Sequence, residues 1–63
     1  MMNLEEAIKA MTAKQLRALC KENGICLGNE ASRRDQVEQR IRMECEREVL
    51  INEEDVIAWA ERM

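Results

Sequence analysis

Residues 12–41 read TAKQLRALCKENGICLGNEASRRDQVEQRI. Two helical periods flank a stretch that has none, and the fold follows from that contrast. Thr12 stands where a helix N-cap belongs, and Gln15 is placed to answer it in a capping box. Met11 and Leu16 occupy the staple positions on either side of that cap. Ala13, Leu16, Leu19 and Cys20 then repeat on one face. Lys14, Arg17 and Lys21 lie at i, i+3 and i+7 on the other side. The helix is expected to stop at Asn23-Gly24, because Gly24 adopts the left-handed conformation that closes a helix at little cost. Ile25 then folds back onto the last turn. Cys26–Ala31 has no helical period, and Gly28-Asn29 reads as a turn. Ile25 and Leu27 alternate, so one of them is expected to point inward from an extended path.

Ser32 is the expected cap of a second long helix, with Asp35 at its box position. Val37, Ile41, Cys45 and Val49 step by four, so the apolar stripe drifts by about 40° per step. Either the face winds around its partners, or the helix bends or breaks between Met43 and Glu48. Glu44 and Glu48 lie close to the drifting stripe, which favours a change of course and an end near Glu48. Val49-Leu50-Ile51 is then a short apolar connector into the core.

Outward from this pair, Asn3 caps a lead helix over Leu4–Ala10, with Glu6 at its box position. Leu4, Ala7, Ile8 and Met11 share one face. The segment is shorter than the roughly 12–15 residues an isolated helix needs, so it must dock. Asn52 caps a closing helix within 52–63, with Asp55 at its box position and Glu53 and Glu54 in the dipole-favoured first turn. Val56, Ile57, Ala60 and Met63 share its face, with Trp59 beside them.

The 63 residues allow one domain, 1–63, with a small core. Sheet formers are sparse: Phe and Tyr are absent, and helix formers dominate. The expected fold is a small all-α domain of three to four helices around a central helix–extended loop–helix. There is no His, which excludes His-based acid/base and Cys-His chemistry. The cysteines at 20, 26 and 45 are odd in number and include no CxxC pair. They suggest neither a disulfide framework nor a zinc site, and no metal or cofactor is expected. With no signal-peptide pattern, the expected location is intracellular, in the cytoplasm, nucleoid or nucleus, and not secreted. No apolar run approaches the roughly 20 residues of a membrane span. Helices of this length offer no cleft for convergent carboxylates, so an enzyme is not expected.

Residues 11–41 resemble the SAP motif, a helix–extended loop–helix module of chromatin, repair and RNA-processing proteins. MTAKQLRALCKENGI is similar to its first half, with Leu16 and Leu19 at core leucines and Gly24-Ile25 at the glycine-hydrophobic turn. RRDQVEQRI is similar to its second half, with Val37 and Ile41 at apolar positions and Arg40 at a commonly basic one. Gly28 corresponds to the loop glycine. The distance from Gly24 to Ile41 exceeds the usual pattern, with the excess around Asn29–Ser32. The resemblance covers about half the chain and its motif is short. Related LEM-like modules bind protein.

The resemblance implies binding to double-stranded nucleic acid, most simply DNA, through the loop and the start of the second main helix. Gly28 and Asn29 would bring backbone amides to a phosphate, and Arg33 and Arg34 would add charge at a helix N-terminus. Lys14, Arg17 and Lys21 would extend the strip. Such contacts position a duplex without reading its sequence. The competing reading pairs Arg33 and Arg34 with Glu30, Asp35 or Glu38 as solvated ion pairs. Net charge is −3, with +2 over residues 1–34 and −5 over 35–63, so binding to DNA would be weak without a partner. The alternative function is a protein-interaction or inhibitory module, as a homodimer or with another protein. It would use an apolar and acidic C-terminal surface with Trp59, Met43 and Met63.

Overall fold

A computed structural model describes residues 2–62. Four α-helices follow in order: α1 Leu4–Ala10, α2 Ala13–Glu22, α3 Arg34–Arg47 and α4 Glu53–Arg62. A single 3₁₀ turn, Asn29–Ser32, precedes α3. No strand occurs among the described residues, so the chain is a small all-α domain. No helix among them is long and apolar enough to cross a membrane.

Three of the four expected caps form. Asn3 Oδ1 accepts from the Glu6 amide at 2.8 Å, and the Glu6 carboxylate accepts from the Asn3 amide at 3.1 Å. Thr12 and Gln15 repeat the exchange at 3.2 and 2.8 Å, and Asn52 and Asp55 at 2.9 and 3.1 Å. α2 ends as its sequence requires. Gly24 has φ +76°, the Gly24 amide donates to Lys21 O, and the Ile25 amide donates to Cys20 O at 2.8 Å. Ile25 is buried as a result.

The core joins all four helices. Ala7, Ile8 and Met11 from α1 and its end meet Leu16, Leu19 and Cys20 of α2, Val37, Ile41 and Cys45 of α3, and Ile51 and Val56. Leu4, Leu27, Ile57, Trp59 and Ala60 close its edges. α2 packs on α3, and α1 packs on α4. Met63 lies outside the described residues.

A polar clamp ties α1 to α3. Arg42 makes a bidentate pair with Glu5 at the start of α1, both distances 2.7 Å. Arg34 donates through Nη2 to Met11 O at 2.7 Å and Ile8 O at 3.1 Å, at the end of α1. Glu38 sits between them, bound by Arg34 Nε at 2.8 Å and by Arg42 Nη2 at 3.4 Å. Since the start of α3 meets the end of α1 and the reverse, α1 runs antiparallel to this edge. Arg34 also fills acceptors that a helix C-terminus leaves open.

Two expectations need correction. Ser32 does not cap α3. Its hydroxyl donates to Asn29 O at 2.9 Å inside the 3₁₀ turn, and the capping position falls to Arg33, which has no side-chain cap bond. An N-cap needs extended backbone. Arg33 has it, at φ −122° and ψ 113°, whereas Ser32 belongs to the turn. The expected end of α3 near Glu48 is found, with no break after Met43. The helix runs to Arg47, and Glu48 closes it in the left-handed region at φ 54°. Glu44 is tolerated on the drifting stripe, only 3% exposed, because Arg40 Nε binds it at 2.9 Å. Finally, Val49-Leu50-Ile51 does not enter the core as a unit. The reversal at Glu48 sends Val49 and Leu50 outward, 75% and 44% exposed, and only Ile51 is buried.

Candidate nucleic-acid interface

The basic residues of α2 share an edge. At 100° per residue, Lys14, Arg17 and Lys21 fall within an arc of about 60°. All three are exposed. Arg17 reaches across to the loop, where its Nη1 donates to Ala31 O at 3.4 Å. Arg17 and Lys21 thus rim a shallow groove of about 420 Å³ whose floor is Gly24, Ile25, Cys26, Leu27 and Ala31. The Arg17 contact links the α2 edge to the segment leading into α3.

The loop has two parts. Ile25–Leu27 has no regular secondary structure, with Ile25 buried and Leu27 half-buried. From Gly28 the chain coils: the Ala31 amide donates to Gly28 O at 3.1 Å and the Arg33 amide to Glu30 O at 3.0 Å. Gly28 and Asn29 are both exposed at the head of this turn. Space is open around Gly28.

The two arginines at the start of α3 have different surroundings. Arg33 is exposed at the capping position. Arg34 is half-buried and committed to Glu38 and to the carbonyls of α1. Of the competing ion pairs expected from sequence, Arg34–Glu38 forms. Glu30 pairs instead with Arg40, at 3.0 Å. Arg40 is therefore held between Glu30 and buried Glu44. Its hydrogen bond to Glu44, with the charge of both carboxylates, holds its pKa above the ordinary arginine value. Lys14, Lys21 and Arg33 have no side-chain ion pair among the described residues. The sequence shows six basic residues in its first half. It does not show which one folds inward.

The residues of the alternative reading lie elsewhere. Trp59 is half-buried against the core, with the Arg62 guanidinium 5.7 Å from its ring centroid and its Nε1 buried without a partner. Met43 is 54% exposed on α3, beside a shallow groove of about 230 Å³ lined by Glu30, Gln36, Gln39 and Arg40. Met43 lines that groove and Trp59 does not. Met63 lies outside the description. Cys20 and Cys45 are buried, while Cys26 lies exposed in the groove beside Arg17 and Lys21. No cluster of three or more metal-ligating side chains forms among the described residues.

Sequence reasoning passed over one surface. Val49 and Leu50 are exposed in the turn after α3, and Glu46, Glu48, Asn52, Glu53 and Glu54, on either side of them in the chain, line a groove of about 630 Å³ with Leu4, Arg42 and Cys45. The pattern EREVLINEE carries the signal, an apolar pair bracketed by carboxylates. No protein-family model, curated protein or solved structure matches this chain.

Proposed function

We propose that this domain is an accessory module that binds nucleic acid, most simply duplex DNA. It holds phosphates along the edge formed by α2, the loop and the start of α3. Lys14, Arg17, Lys21 and Arg33 supply the charge, and Gly28 and Asn29 supply exposed backbone. The observation that carries this reading is the Arg17–Ala31 bond, which draws the basic edge of α2 against the loop. The resemblance to SAP modules supports it further. The residues at its core positions, Leu16, Leu19, Ile25, Val37 and Ile41, are all buried. The surplus residues of the loop, 29–32, are taken up as the 3₁₀ turn. Arg34 drops out of the contact set because its guanidinium braces α1.

Four phosphate-directed cations set a ceiling on salt dependence. The logarithm of affinity should fall against the logarithm of salt with a slope no steeper than about −3.6, at about −0.9 per neutralised phosphate. Arg33→Ala should weaken binding and make that slope shallower by about 0.9. Titration with a duplex at low salt should shift amide resonances at Gly28–Asp35 and along the exposed edge of α2. Shifts confined to α4, or none at all, would sink the reading.

A further inference from the structure

We infer that copies of this chain associate, with the Val49-Leu50 projection of one copy seated in the Ile25–Leu27 groove of another. The proposal does not rest on the nucleic-acid reading. Three observations carry it. Val49 and Leu50 are consecutive exposed aliphatic side chains on a turn, not isolated positions on a helix. Carboxylates flank them in the chain: Glu46 and Glu48 precede them, Glu53 and Glu54 follow, and all four are exposed, with Arg47 the one cation in that stretch. The groove between α2 and the loop has the reverse chemistry, lined by apolar Ile25 and Leu27 and by the cations Arg17 and Lys21.

Each surface alone is an apolar feature that water covers poorly and that charge keeps soluble. Together they match in both respects. Burying the two aliphatic side chains supplies the non-directional attraction, and the opposite flanking charges set the orientation. The +2 and −5 balance of the two halves favours the same pairing at longer range. The contact is small. A standard interface of about 800 Å² per partner would cover about a fifth of the 4372 Å² surface, so only the weak class of association is within reach. Low salt and high protein concentration are therefore the conditions to use.

Sedimentation velocity of the whole chain tests this. At about 0.1 M salt the weight-average sedimentation coefficient should rise with concentration. At about 1 M salt, where the Debye length shortens from roughly 10 to roughly 3 Å, it should fall back towards the monomer. Val49→Ser with Leu50→Ser should abolish the rise while leaving helical content unchanged, since both side chains are outside the core. Charge reversal then tests the pairing itself. Arg17→Glu with Lys21→Glu should be monomeric, and so should Glu46→Lys with Glu48→Lys. An equimolar mixture of the two should associate, because one contributes an acidic groove and the other a basic projection. A wild-type chain that stays monomeric throughout overturns the proposal, as does unchanged association of the Val49 and Leu50 variant. A mixture that fails to associate where the wild type does overturns the pairing of these two surfaces. The Val49 and Leu50 variant leaves every proposed phosphate contact in place, so loss of association and loss of DNA binding are read separately.

Discussion

Gly24 and Glu48 occupy the same left-handed region and close α2 and α3 respectively, at φ 76° and 54°. Only one of them has the residue type for it. A Cβ added at Gly24 meets nothing within 4 Å, so Gly24→Ala introduces backbone strain without a clash. It should destabilise by about 1–2 kcal/mol. Glu48→Gly should go the other way, by about 0.5 kcal/mol or more, because relief of the left-handed strain exceeds the extra freedom of glycine in the unfolded chain. Urea unfolding measures both, and equal midpoints for Glu48→Gly and the parent would refute the second. Arg33 and Arg34 form a second contrasting pair. Arg34→Ala removes the side-chain donor from the Met11 carbonyl and leaves the Ile8 carbonyl only the long 3.4 Å bond from the Met11 amide, so it should lower stability by about 1–3 kcal/mol. Arg33→Ala, at an exposed position, should stay within about 0.5 kcal/mol of the parent. Thermal melts of the two variants decide whether Arg34 is a brace, and so which arginine gives a clean binding test.

At the scale of elements, the local chemistry of each helix end determined how much could be read from sequence. Asn3-Glu6, Thr12-Gln15 and Asn52-Asp55 are reciprocal exchanges within four residues, and nothing distant competes for them. Ser32-Asp35 has the same spelling and fails, because the preceding 3₁₀ turn takes the serine hydroxyl for Asn29 O. Thr12→Ala should therefore lose about 1 kcal/mol as a true cap, and Ser32→Ala clearly less, by chemical denaturation. Equal losses would mean that Ser32 caps α3 in solution. The candidate site divides in the same way. The i,i+4 pairs Arg34–Glu38 and Arg40–Glu44 follow from helical spacing, as does the edge of Lys14, Arg17 and Lys21. Arg42–Glu5 and Arg34–Met11 O span 37 and 23 residues and exist only once α1 lies antiparallel to α3. No local pattern encodes them. The outward turn at Val49-Leu50 was hidden for a related reason, since hydropathy alone gave three consecutive apolar residues the same direction.

For the whole molecule, a core this small makes each buried titratable group count. Cys20 and Cys45 belong to it, and burial pushes both thiols up to about 11 from an ordinary value of 9.0. Neighbouring carboxylates add to the rise at Cys45, chiefly Glu53 and Asp55, while Arg40 opposes it at Cys20. A raised folded value means that the stabilisation is complete below the unfolded pKa and is lost as pH climbs through the folded one. Below about pH 9 both states hold the protons, and stability should not depend on these thiols. Between about pH 9 and 11 the unfolded chain releases protons that the folded chain keeps. Stability should then fall by up to about 1.4 kcal/mol per pH unit for each thiol. Above about 11 this contribution levels off. The acid limb has another origin: Glu5, held below the usual carboxylate range chiefly by its hydrogen bond to Arg42, contributes above the unfolded value of 4.5 and is lost as pH drops through the folded one. The measurement is taken as a difference. Denaturation midpoints of the parent and of Cys20→Ala with Cys45→Ala are followed from pH 8 to pH 11.5, roughly the span the linkage covers. The variant starts lower, having lost two buried side chains, but its decline should be shallower. Parallel declines would show that the two thiols ionise as readily in the folded chain as in the unfolded one, and that this part of the core admits water.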